Sequence, residues 1–319
     1  MTPAHTLHIV SGKGGTGKTT IASGLACALA TQGRRVLLCE VEGRHGISEL
    51  FGTPRLVKDE ERRLCRTPAG GEVFGLSIDA EDALLEYLET FYHLGLAGRA
   101  LERFGVVDFA TSIAPGLRDV LLTGKVYEAV RRQVRHRPNA YDAVVVDAPP
   151  TGRSAQFLNV HEAVSGLAQV GPIRNQADSI MEMLRSPTTV VHLVTLLEDM
   201  PVTETVEAIG QLRPTRIKVG TVIANMVTPD PLPMGVLSTA AAGELTLGVP
   251  GLSSEQNAAL AEEFAAEAGR RLQERDRREI LHQLDVALAE VTFDPAGIDD
   301  GALFSIADQL AEQLPGEVR

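Results

Sequence analysis

The sequence predicts an α/β protein built on a doubly wound, mainly parallel sheet, and three observations carry that expectation. A short apolar run, Leu7 to Val10, leads into the glycine-rich stretch SGKGGTGKTT (11–20), and an Ala- and Leu-rich helical pattern follows from Thr20 to Thr31. Strand, glycine loop and helix in that order form the context in which Gly12-x-x-x-x-Gly17-Lys18-Thr19 becomes a phosphate-binding loop rather than a chance match. Further along, continuous apolar runs alternate with helical patterns, as buried parallel strands joined by helical crossovers do. One of those runs, YDAVVVDAPP (141–150), ends abruptly in Asp147 before two prolines.

The remaining strands follow from the same reading. Arg35 to Cys39 comes after the Gln32-Gly33 turn, GEVFGLSID (71–79) is a third strand, and TTVVHLVTLL (188–197) and IKVGTVIANMV (217–227) are two more; AEVTF (289–293) is the last. Residues 82–137 and 159–187 break the rhythm with almost wholly helical patterns. Both fall between sheet strands, which predicts a helical cap on a single domain spanning 1–319 rather than an independent second unit. Residues 255–289 carry Leu260, Phe264, Ala268 and Leu272 at four-residue steps, and Ile280, Leu284 and Leu288 after the charged patch QERDRRE. That spacing predicts one or two helices packing an apolar stripe on the sheet. The C-terminal ALFSIADQLAEQL reads as a core-packing helix.

Composition narrows the function classes. The chain has 319 residues, a formal net charge of −12 and no Trp. An acidic balance argues against a nucleic-acid partner, which leaves a basic footprint. The basic run RRQVRHRP (131–138) reads instead as the solvated end of a helix. Three scattered cysteines, Cys27, Cys39 and Cys65, fit a reducing cytoplasm better than a disulfide framework. The start, MTPAHTLHIV, has no charged n-region, and no apolar stretch reaches the ~18 residues of a membrane span. The expectation is a cytoplasmic protein with no direct membrane insertion. His45, His93 and His161 show no metal-ligand spacing, and Glu86 to Leu101 mixes aromatics and leucines as a cap core would.

The chemistry is concentrated in the loop. Gly12, Gly14, Gly15 and Gly17 let backbone N–H groups turn onto phosphates at the positive end of a helix. Lys18 is expected on the β- and γ-phosphates and the Thr19 hydroxyl on Mg²⁺, with Thr16 and Thr20 completing the cradle. Asp147 is placed to hold the metal through water, and Gly152, just beyond it, to present its N–H near the γ-phosphate. Glu40 and Glu42 end the second strand on the same side, and Glu42, nearer the loop, is the expected water-positioning base. No Lys-x-Asp guanine motif follows the strand ending at Ala224; Asn225, whose amide both donates and accepts, suits adenine, so ATP is the expected nucleotide. Lys13 is a second lysine on the rim of a loop already served by Lys18. In a face-to-face dimer it would reach the other subunit's nucleotide in trans.

With these residues in place, the sequence is identified as resembling the dimerising ATPases with a deviant phosphate loop, and within them the ArsA-like and tail-anchored-protein targeting ATPases. DAPPTGRSAQFL (147–158), APGLRDVLLTGKVYE (114–128), HLVTLLEDMPVTETVEAIGQL (192–212), ANMV (224–227) and EVEGRHGISELF (40–51) each resemble an ordered family segment. The last places Glu42 on the family's catalytic Asp. Similarity is greatest to short actinobacterial ArsA-like proteins described as anion-transporting ATPases. The resemblance implies a Mg-ATPase acting as a nucleotide-driven dimer, with itself or a paralogue, coupled to an unknown cargo or membrane partner. The chain departs from the family at Glu42 for Asp and at Arg153 for His. It carries no C-x-x-C zinc clasp, no clustered thiols for arsenite, and only Met181 and Met183 in the insert after Asp147.

Overall fold

A computed structural model describes residues 6–41, 45–58, 60–79, 83, 115–134, 141–151, 157–158, 172–229, 231–297 and 300–314. Its sheet is built from β1 (Leu7–Gly12), β2 (Arg35–Val41), β3 (Arg62–Arg66), β4 (Glu72–Ile78), β5 (Ala143–Asp147), β6 (Thr189–Thr195), β7 (Val219–Val227) and β8 (Ala287–Thr292). Their spatial order is β3-β4-β2-β5-β1-β6-β7-β8. Every neighbouring pair is parallel except β3 with β4 at the edge. The helices are α1 (Lys18–Ala30), α2 (Gly46–Leu50), α3 (Pro115–Val134), α4 (Pro172–Leu184), α5 (Asp199–Leu212), α6 (Met234–Ala241), α7 (Ser254–His282) and α8 (Asp300–Gln313).

Strand alternation divides the core into two layers. Leu7 and Ile9 of β1 point to one face and Val10 to the other, as a period of two requires. The first face is covered by α3, α4 and α5 through Val120, Leu122, Ile180, Leu184, Val202 and Ile209. The second is covered by α1 and α8, with Leu25, Leu29, Ile306 and Leu310 packed on Val36, Leu38, Val145 and Val194. Helix α1 is apolar all round because it is buried on all sides, between the sheet and α8. Two histidines of the central strands are fully buried and meet diagonally across β1 and β6, His8 Nδ1 lying 3.2 Å from His192 Nε2 with the rings stacked.

Strands expected from the sequence all appear, within a residue or two of their predicted ends. The edge strand β3 was not foreseen. The expected cap is described only in α3 and α4, and both pack directly on the sheet; the rest of 82–137 and 159–187, including Glu86 to Leu101, His93 and His161, lies outside the described residues.

The stripe on 255–289 requires a correction. Most of it forms one long helix, α7, capped by a reciprocal Ser253–Gln256 box, but Leu284 lies beyond the helix end and Leu288 is on β8. In α7, Phe264, Ala268 and Leu272 pack on Leu237 and Ala240 of α6, not on the sheet. Leu281 rather than the exposed Ile280 reaches the sheet core, while Leu284 and Leu288 pack against it as expected. The charged patch does the joining: Arg275 donates to Leu232 O at 2.6 Å, Arg278 holds Glu290 of β8 at 2.5 Å, and Arg277 pairs with Asp199 of α5.

The α1–α8 contact admits no side chain at Gly24, where a Cβ would lie 2.5 Å from Ile306 Cγ2. Gly24→Val should therefore lower stability by about 1–3 kcal/mol through overpacking, read as a fall in urea midpoint. Adding Ile306→Ala should recover part of it; a midpoint unmoved by Gly24→Val would show that this contact is loose.

Candidate nucleotide-binding site

The loop between β1 and α1 is shaped first by backbone contact. A Cβ at Gly12, which has φ 153°, would stand 2.1 Å from the carbonyl oxygen of Val194 on β6, so only glycine can occupy the end of β1. Beyond it the chain folds onto one acceptor. The Lys13 carbonyl takes the Thr16 hydroxyl at 2.9 Å and the Lys18 ammonium at 3.0 Å. Gly17, at φ 83°, caps α1, whose N-terminal N–H groups face the loop. Lys18 is 6% exposed, which puts its charge at the centre of the loop rather than in solvent. This arrangement of amides, helix N-terminus and enclosed lysine is an anion cradle at the carboxyl ends of the strands, where α/β sheets bind ligands.

Register sets the acids beside it. Asp147 of β5 lies opposite Val10 of β1 on one side and Glu40 of β2 on the other. Its Oδ2 accepts from the Thr19 hydroxyl at 2.6 Å. A hydroxyl and a carboxylate so placed at the foot of the cradle are the hard oxygen donors that Mg²⁺ takes alongside water and phosphate oxygens. Among the described residues no cluster of three or more His, Cys, Asp or Glu could hold a metal by itself. Glu40 is buried, its Oε1 accepting from Ile47 N at 3.3 Å, while its Oε2 has no hydrogen-bond partner among the described residues. Glu42 and Gly152 lie outside the described residues. Ser11 ties β1 to the chain after Asp147 by donating to Pro149 O at 2.9 Å.

Asn225 does something its sequence position did not suggest. Its Nδ2 donates to Thr16 O at 2.9 Å, bracing the phosphate loop from the end of β7. The other residue that sequence reasoning missed is Glu204 on α5. Its two oxygens divide between the loop and the segment after Asp147: Oε1 holds Lys13 Nζ at 2.6 Å, and Oε2 accepts from the Thr151 hydroxyl at 3.2 Å. Glu204 is one of several acids on a helix, and no local spacing distinguishes it. Lys13 and Glu204 are 28% and 30% exposed, so water competes for both ends of the pair.

Fold and loop together define a P-loop NTPase, and comparison with known proteins narrows that class. A family profile described as Anion-transporting ATPase matches residues 5–188. ATPase BagA of Mycobacterium tuberculosis is 47% identical over 317 residues, covering 96% of this chain and 93% of that protein. A protein of Aquifex aeolicus bearing the name arsenical pump-driving ATPase 2 is 33% identical over 46% of each chain. ATPase GET3 of Kluyveromyces lactis is 27% identical over 54% of this chain and 52% of its own. The chain belongs to the ArsA ATPase family, and the reaction it catalyses is ATP hydrolysis.

Gly12→Ala should reduce ATP hydrolysis by roughly 10²-fold or more, because a methyl group there forces β1 off β6 and shifts the whole cradle. Phosphate release at saturating ATP measures it. A rate equal to that of the unaltered protein would separate catalysis from this close approach.

Proposed function

We propose that the protein is a cytoplasmic, Mg-dependent ATPase that works as a nucleotide-driven dimeric switch, formed with itself or a paralogue and coupled to a partner or cargo. The observation that carries this reading is the division of labour between two lysines. Lys18 is enclosed by its own loop, whereas Lys13 stands at the more exposed rim, paired with Glu204 at 2.6 Å where water reaches both groups. A lysine so held can exchange Glu204 for the phosphates of an opposing subunit's nucleotide and act in trans, as an arginine finger does.

The remaining roles are those expected from the sequence. The amides of Gly12, Gly14, Gly15 and Gly17 and the Lys18 ammonium bind phosphate; Thr16, Thr19 and Thr20 line the cradle. Thr19 and Asp147 hold Mg²⁺, which when bound neutralises phosphate charge. Glu42 orients the attacking water, and Gly152 senses the γ-phosphate. Asn225, with its amide already committed to Thr16 O, meets adenine through its outer edge. As for cargo, Cys27 and Cys39 are packed in opposite layers of the core, so one chain cannot gather its three thiols around arsenite. Met181 is likewise committed to the core, which argues against a methionine-rich client groove. Among the described residues no helix is long and apolar enough to cross a membrane.

Turnover per subunit should climb with protein concentration and then plateau, since two copies complete each site. Turnover flat at zero with ATP still bound would replace this reading with an ATP-gated assembly protein or one awaiting a paralogue. Lys18→Ala should abolish hydrolysis. Lys13→Ala should cut kcat by roughly 10³-fold while leaving nucleotide binding by the monomer intact, in line with a finger residue. An unchanged rate would overturn the trans role.

Glu204→Gln provides a separate check. A half-exposed pair contributes about 0–1 kcal/mol, so freeing Lys13 should move the half-maximal protein concentration down by no more than about fivefold. A rise in that concentration would instead make Glu204 part of the closed dimer.

A further inference from the structure

Two of the three cysteines meet across the interface between α1 and the sheet edge. Cys27 lies on the buried face of α1, and Cys65 lies on β3, half-buried and packed against the same apolar cluster. Their side chains are near enough to interact directly. A second contact fixes the alignment independently: the Thr67 hydroxyl donates to Ala30 O at 3.0 Å. Cys27 and Ala30 share a face of the helix at a three-residue step, and Cys65 and Thr67 share a side of the extended chain, so both contacts lie along one line. A bulge between Arg63 and Cys65 is the local feature that re-aims the strand there.

The two sulfurs differ in kind. The neighbouring Cys65 thiol, and then burial, push the Cys27 thiol up from its ordinary range. Cys65 is the one that a small oxidant can reach. It sits in RRLCR, whose Arg63 is already paired with Glu72 while Arg66 remains exposed.

We propose that Cys27 and Cys65 are a reversible dithiol–disulfide pair, closed by hydrogen peroxide and reopened by a thiol reductant, that cross-links the phosphate-loop helix to the edge strand. In the first step the Cys65 sulfur attacks one peroxide oxygen. The O–O bond breaks, an S–O bond forms, and the departing hydroxide takes up the thiol proton as water. In the second step the Cys27 sulfur attacks the Cys65 sulfenic sulfur. An S–S bond forms, the S–O bond breaks, and hydroxide leaves with the Cys27 proton as a second water. Both sulfurs lose one electron and the peroxide gains two. Reduction by a dithiol runs through a mixed disulfide at Cys65, the accessible sulfur. Cys39, fully buried on the other face of the sheet, takes no part.

The test treats the purified full chain with hydrogen peroxide, alkylates it with iodoacetamide in denaturant and maps the peptides without reduction. A peptide joining Cys27 to Cys65 is expected, lost on dithiothreitol, with Cys39 alkylated in every sample. The oxidised protein should also melt at a higher temperature than the reduced one. In Cys27→Ala the sulfenic acid on Cys65 should persist and be trapped by dimedone, identifying Cys27 as the resolving thiol. Peroxide-treated protein in which Cys27 is still fully alkylated, or in which Cys65 links only to another chain, would overturn the proposal, and that result does not depend on whether Cys27→Ala folds.

Discussion

Strand β1 runs between β5 and β6 and must leave the sheet where its backbone touches theirs, and the close approach of Gly12 to the Val194 carbonyl decides how it leaves. No side chain fits, so the chain turns there with a φ of 153° that other residues rarely adopt. The rest of the loop depends on that exit. The Lys13 carbonyl is carried to a point where Thr16 and Lys18 both bond to it, and Gly17 can then cap a helix that starts at once. Burial of α1 between the sheet and α8 holds the cradle in register with Asp147 and Glu40. The glycine contact is thus a steric constraint with an electrostatic consequence: it aims a helix N-terminus and a lysine at the same place.

The polar interactions around the cradle sort by exposure. Thr19 with Asp147 and Asn225 with Thr16 O involve buried carboxylate and amide groups, where an unmade hydrogen bond is costly and the geometry is held. Lys13 with Glu204 is half in water, where a pair is worth little and is easily exchanged. The buried contacts hold the shape of the site, and the Lys13–Glu204 pair lies at its more exposed rim. Glu204 also contacts Thr151, so the same carboxylate joins the loop to the segment following Asp147.

Much of this protein was legible in the chain itself. The phosphate loop, the lysine and threonine that close it, and Asp147 at a strand end are read directly because the chemistry lies in contiguous residues and the strands are buried apolar runs. The edge strand β3 was not legible: RRLCR has no apolar run, and it is a strand only because β4 pairs with it. The stripe on α7 was visible as a helix but not as a partner for α6, since four-residue spacing says that a face is buried and not against what. Glu204 on Lys13, Asn225 on Thr16 O and Cys27 on Cys65 join residues far apart in the chain. Local pattern carries the glycine loop and the helix it opens, because a helix N-terminus and its loop are made from one short segment. Only the tertiary structure decides which distant side chains steady that loop, restrain its outer lysine and abut its helix, because those contacts are set by strand order and layer packing.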